Sequence, residues 1–213
     1  MPLLRTAIVI DYQNLHLTAA NLFVNSDHIH ESLIDPLLFS NELISERNSL
    51  QESGYPLAML TKILLHRGLP SAKHDPKNYA RNMAQKANWE RDPLTMVIYR
   101  PLKYPYPYDP KGDERFRVGK PKEKGIDVLC ALALVRETQN SEIDLVILAS
   151  HDTDLVPALN EALAYRSAKI ETCSWHASGN RSSREIRPEG ARIWNTRLNQ
   201  NHFQNSLDKR KYQ

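Results

Sequence analysis

Two hydrophobic periods alternate along this chain. Short apolar, β-branched runs at residues 6–10, 95–99, 145–149 and 169–174 end at polar or turn residues, which predicts strands. Between them, apolar residues recur at helical spacing. Asp35-Pro36 reads as an N-cap followed by proline at the first helical position, opening a helix through Leu37, Leu38, Leu43 and Ile44. Asp75-Pro76 repeats that signal ahead of a helix over residues 78–90. Residues 57–65 are apolar enough to predict a buried helix ending near Gly68-Leu69-Pro70. Residues 153–165 carry Leu155, Val156, Leu159, Ala162 and Leu163 on one side, another helix face. Strands alternating with helices predict an α/β fold in three layers, a mostly parallel central sheet flanked by helices. No internal repeat is present.

With 213 residues, 41% hydrophobic and 25% charged, the chain can build one substantial core, so a single domain over residues 1–213 is expected. A loop at about 100–124 and a C-terminal extension from about 176 decorate it. No apolar run reaches eighteen residues, and the apolar start of the chain is short and followed at once by Asp11. Neither a membrane span nor a signal peptide is expected, and the anticipated location is cytoplasmic. Cys130 and Cys173 sit in apolar-rich elements without metal-ligand spacing, which suits buried thiols rather than a disulfide or a zinc site.

The net charge of +3 is small, but it is unevenly spread. Residues 100–124 hold five of the thirteen prolines and eight basic residues against four acidic ones. Tyr104, Tyr106, Tyr108 and Phe116 interleave with Lys103, Lys111, Arg115, Arg117, Lys120 and Lys122. Cations for phosphates and π faces for bases suit single-stranded nucleic acid. A solvated, Pro-rich connection with its tyrosines folded onto the body accounts for the same composition equally well.

Acidic residues mark the strand ends. Asp11 follows the first apolar run, Asp152 and Asp154 follow the run ending at Ala149, and Asp127 lies inside an otherwise apolar helical stretch. Open α/β sheets bind ligands at the carboxyl ends of their strands. Taken singly, Asp11 fits a helix N-cap and Asp154 a favourable first-turn acid. Together the carboxylates would repel one another unless a cation sits among them, and an all-carboxylate set selects a hard ion, Mg²⁺ or Mn²⁺.

Asp11-Tyr12-Gln13-Asn14-Leu15, Lys124-Gly125-Ile126-Asp127-Val128 and the stretch from Ser150-His151-Asp152-Thr153-Asp154 to Leu159 resemble the motifs of the NYN domain, a family of PIN-like nucleases. Trp89, the Arg-Pro-Leu that follows Tyr99, and the closing stretch 198–212 are similar to a bacterial branch of it, so the resemblance covers nearly the whole chain. It implies a PIN-like fold and a metal-dependent ribonuclease, expected to cut internally. Asp11, Asp127, Asp152 and Asp154 would bind the metal and carry catalysis, with Asn14, Ser150 and Thr153 in support. RNA, expected to be single-stranded, would be held by Lys124, Arg115, Arg117, Lys120 and Lys122. Two departures stand out. Family members often carry another acid two turns into the helix holding Asp127, where this chain has Cys130, Ala131, Leu132, Ala133 and Leu134, which weakens any second metal site. His151 replaces a common glycine; a plain exposed turn residue is the first expectation, with a narrowed approach to the site or a substrate contact as the alternative.

Other chemistries are disfavoured. An aspartyl-phosphate mechanism would want an acid two residues after Asp11, where Gln13 stands. No Gly-rich turn follows the first strand, so no phosphate-cradling loop or dinucleotide fingerprint is present. The alternative is a catalytically weak RNA-binding or regulatory module of the same fold.

Overall fold

The first strand, β1 (Leu4–Asp11), lies at the centre of the sheet. Successive side chains of a strand point to opposite faces, so Ala7 and Val9 enter one core while Ile8 and Ile10 enter another. With helices covering both faces, the strand reads as an unbroken apolar run.

In this computed structural model, which describes residues 3–24, 32–105, 120–177 and 181–212, β1 is followed by α1 (Tyr12–Phe23), α2 (Pro36–Ser49), β2 (Ala58–Leu69), α3 (Pro76–Trp89) and β3 (Thr95–Pro101). Then come α4 (Ile126–Thr138), β4 (Leu145–Ala149), a 3₁₀ turn (Thr153–Leu155), α5 (Val156–Tyr165), β5 (Lys169–Ala177), β6 (Arg181–Ser182), β7 (Trp194–Leu198) and α6 (Gln200–Asn205). Six strands run parallel in the order β3-β2-β1-β4-β5-β7, and β6 pairs antiparallel with the end of β5. Helices α1, α2 and α6 cover one face and α4 and α5 the other, giving the expected three-layer α/β architecture. Asp35 and Asp75 cap α2 and α3 with proline behind them, as their sequences predict. Among the described residues, no helix is long and apolar enough to cross a membrane.

One predicted element is overturned. Residues 57–65 form no helix; they lead into and make up much of β2, between β1 and β3. Ile63, Leu64 and Leu65 are buried in succession because both faces of an interior parallel strand meet helices. Such a run lacks the alternation that would separate a strand from a buried helix.

The C-terminal segment is built into the sheet. β7 pairs with β5 from Glu171 opposite Trp194 to Trp175 opposite Leu198. Phe203 of α6 then packs on Phe23 and Trp175, with ring centroids 5.4 and 6.0 Å away. The Trp89 indole donates to Asp208 Oδ2 at 2.9 Å, tying the tail to α3.

A charged pair lies within this apolar frame. Arg47 of α2 donates from Nε and Nη2 to the two oxygens of Glu171 on β5, at 3.2 and 3.0 Å, and neither side chain is exposed. Arg47 Nη1 donates to the Pro56 carbonyl at 2.9 Å, and Lys169 Nζ lies 2.8 Å from Glu171 Oε1.

Of the long loop at 100–124, residues 106–119, including Arg115 and Arg117, lie outside the described residues. Its two ends are joined by reciprocal backbone hydrogen bonds of 2.9 Å between Lys103 and Lys122. The Tyr104 hydroxyl accepts from the Ser71 backbone at 2.8 Å, so this tyrosine is folded onto the body.

Candidate functional site

The chain runs from β1 outward through β2 to β3 and then returns to place β4 on the other side of β1. The gap between the carboxyl ends of β1 and β4 is therefore a topological switch point, where open α/β sheets leave a crevice. Ile10 pairs with Ala149 in register, so the residues that follow, Asp11 and Ser150, emerge side by side.

Asp11 ends β1 and caps α1. Its Oδ1 accepts from the Asn14 backbone at 3.4 Å and its Oδ2 accepts from Ser150 Oγ at 3.1 Å. Ser150 Oγ in turn accepts from the Asp152 backbone at 3.2 Å, and Asn14 Oδ1 accepts from the His151 backbone at 2.8 Å. Asn14 and Ser150 thus splice the turn after β4 to the start of α1. Asp152 caps the 3₁₀ turn, accepting from the Asp154 backbone at 3.0 Å.

Asp127 arrives from the opposite face. Gly125, the N-cap of α4, has φ +75°, a left-handed conformation that glycine adopts without strain. The Arg100 guanidinium lies against it and donates from Nε to the Lys124 carbonyl at 2.6 Å. This fixes the first turn of α4, with Asp127 on it and Lys124 just ahead.

The result is a cleft of about 530 Å³ whose lining includes Asp11, Asp127, Asp152, Asn14 and Lys124. A fourth carboxylate in it is Glu123, absent from the acids that the sequence motifs mark. Glu123 Oε1 accepts from the Gly68 backbone at 2.6 Å, an approach only glycine permits: a Cβ there would meet that oxygen at 2.6 Å and Leu102 at 2.3 Å. With its amide turned to present NH₂, Gln13 donates to both Glu123 oxygens, at 2.7 and 3.0 Å. In sequence Glu123 is one acid amid lysines, and only its adjacency to Gly125-Ile126-Asp127 points to it.

Two expected residues stand elsewhere. Asp154 and Thr153 are exposed and outside the cleft lining, because Asp152 occupies the extended N-cap position while the residues after it enter the turn and face solvent. His151 is buried, 8% exposed, not the exposed turn residue expected. Its Nδ1 lies 3.3 Å from the Arg184 carbonyl, burial lowers its pKa to about 4, and its Nε2 has no partner among the described residues. It stands beneath the turn as a neutral packing residue. Along α4, where a further acid would be sought, Cys130, Ala133 and Leu134 are core residues.

No protein-family model matches the chain, and no curated protein matches it in sequence. Among solved structures it is similar to a protein of unknown function from Vibrio parahaemolyticus, with 19% identity over 80% of each chain and a TM-score of 0.44.

The cleft's electrostatics are those of an under-neutralised acid site. Burial pushes the Asp11 carboxyl up to about 6; the Asn14 N–H and Ser150 hydroxyl oppose that shift, and the charges of Asp152 and Asp127 add to it. Glu123 is likewise raised, first by burial, with Asp11 adding to the effect. The donor chemistry, carboxylate oxygens with no thiolate or free imidazole, fits a hard divalent ion. As the side chains stand, no three His, Cys, Asp or Glu groups among the described residues are gathered closely enough to hold one.

Asp11 should therefore destabilise the protein at neutral pH. Its folded pKa lies above the ordinary value near 4, so stability is lost as pH rises through that window and the cost is complete above pH 6. A rise of this size corresponds to roughly 3 kcal/mol. Asp11→Asn should leave the melting temperature nearly unchanged at pH 4 and raise it increasingly up to pH 7. Parallel melting curves for the two proteins across that range would show that the carboxylate carries no such penalty.

Proposed function

We propose that the protein is a metal-dependent ribonuclease acting on single-stranded RNA, in keeping with its resemblance to the NYN nucleases. The observation that carries this reading is the cleft at the β1/β4 switch point, lined by Asp11, Asp127, Asp152 and Glu123 with Lys124 beside them. Asp11, Asp127 and Asp152 would hold Mg²⁺ or Mn²⁺, with Glu123 as a further hard donor. Such an ion, when bound, orients a phosphate oxygen and lowers the pKa of its water.

The chain's own residues supply positioning. Asn14 and Ser150 hold Asp11 and the Asp152 turn in fixed relation. The exposed Lys124 at the cleft offsets one phosphate charge of the incoming strand. A single strand can bend a phosphate into a recessed acidic cleft, whereas a duplex is stiff over many base pairs.

One observation favours the alternative, an RNA-binding module without turnover: the carboxylates line one cleft but, among the described residues, are not gathered in threes. Incubating end-labelled single-stranded RNA with the protein and Mg²⁺ or Mn²⁺ separates the two. Cleavage that chelation stops is expected; binding without cleavage under either metal would leave the module.

The basic loop yields a separate expectation. Changing Arg115, Arg117, Lys120 and Lys122 together to alanine should weaken RNA binding and flatten its salt dependence. For every phosphate no longer neutralised, the slope of log affinity against log salt should fall by about 0.7. An unchanged slope would return the loop to a plain connection.

A further inference from the structure

Beside the acidic cleft lies a second pocket of about 290 Å³ between α1 and α3, with a different chemistry. The two share a wall. Gln13 and Leu17, one helical turn apart on α1, line both; Asn14 and Thr18 face the cleft, while Tyr12 and His16 face the pocket. The cleft is dominated by carboxylates, but here Arg67 and Arg81 outnumber Asp75.

Leu33, Pro70, Leu102 and Pro121 give the pocket flat apolar walls. Three amides from successive turns of α3, Asn78, Asn82 and Gln85, supply hydrogen-bonding edges. Asn82 is only 5% exposed; its Nδ2 donates to the Asn78 carbonyl at 2.7 Å and its Oδ1 has no partner among the described residues. A buried acceptor left without a donor is unfavourable, so a ligand bringing one is favoured over a ligand that does not. Gln85 Oε1 accepts from Arg67 Nη1 at 2.7 Å, and the Arg67 guanidinium lies 4.8 Å from the Tyr12 ring centroid. Arg67 is thereby held as a fixed planar cation.

Apolar walls, amide edges and a restrained guanidinium are what a nucleobase requires: surfaces to stack on and groups that read its edge. A phosphate would want several converging cations or backbone amides instead. The size, at the lower end for small-molecule sites, suits one nucleotide. We propose that this pocket receives the base of a nucleotide flanking the phosphate held in the acidic cleft, the strand crossing the Gln13–Leu17 ridge, and that Asn82 sets base preference. The identity of the strand rests on the ribonuclease reading, but base binding does not need turnover.

The test is titration of the four ribonucleoside 5′-monophosphates, and of inorganic phosphate, into metal-free protein while following the side-chain amide resonances of Asn78, Asn82 and Gln85 by NMR. At least one nucleotide should shift these signals strongly, with at least about a tenfold spread in affinity among the four, and inorganic phosphate should not. Asn82→Leu should weaken the preferred nucleotide by about tenfold or more, and Asp152→Asn should leave it bound. Asn78→Ala, at an exposed position, provides a second variant should Asn82→Leu fail to fold; it should weaken the same nucleotide. Four nucleotides that leave the amides unmoved, equal affinity for all of them, or identical shifts with inorganic phosphate would overturn the proposal. Selective binding by a protein that cleaves no RNA would uphold the pocket and remove only the nuclease reading.

Discussion

Asp152→Asn should abolish metal-dependent RNA cleavage while leaving the protein folded. The substitution keeps an oxygen able to accept from the Asp154 backbone, so the 3₁₀ turn keeps its cap, and the Ser150 contact runs through the Asp152 backbone rather than its carboxylate. What disappears is one negative charge from a cleft whose burial and neighbouring carboxylates already raise the pKa of Asp11. Losing an outer partner of a metal ligand typically costs about 10–100-fold, so a ligand itself should cost at least about 100-fold. Asp154→Asn provides the contrast. Its side chain is exposed and outside the cleft, so single-turnover cleavage should stay within a few-fold of the unmodified protein. Full activity in folded Asp152→Asn would remove the cleft from the mechanism, and equal losses from both variants would contradict the placement of Asp154.

The largest expected effect on stability lies elsewhere, at the buried pair of Arg47 and Glu171. Arg47→Met leaves Glu171 in the core with Lys169, whose own side chain is half exposed, as its one cationic partner among the described residues. Breaking such a pair from one side costs about 3–5 kcal/mol. For a chain of this size each kcal/mol corresponds to about 2–4 °C, so the melting temperature should fall by roughly 6–20 °C. Arg47→Met with Glu171→Leu should recover most of that decrease, because an apolar pair incurs no desolvation penalty. If the double variant melts as low as the single one, the cost lies in packing and in the missing hydrogen bond to Pro56, not in the uncompensated charge.

How far these features can be read from the sequence depends on whether their cause is local. The caps at Asp35 and Asp75 are local, and so are the short runs of β1, β3, β4 and β5; all appear where the pattern predicts them. The interior strand β2 is not local, because what makes it a strand is β1 and β3 on either side and helices above and below. The same distinction holds in the cleft. Asp11 and Asp152 follow strands and are identifiable by position. Glu123 depends on a glycine fifty-five positions earlier that lets it approach, a relation no spacing rule reveals. Asp154 stands outside the cleft lining for the opposite reason: two neighbouring acids need not share a direction once a helical turn begins between them.

The joined ends of the long loop have a consequence for engineering. Lys103 and Lys122 pair across its base, and Arg100 clasps the Lys124 carbonyl just inside that pairing. The start of α4, and with it Asp127, is therefore anchored to β3 by contacts made by residues on either side of the interval 106–119. That interval is a natural cassette. Under the proposed RNA reading, exchanging it for other sequences while the 103–122 junction is kept should alter which RNAs bind while the described contacts around the cleft carboxylates are kept.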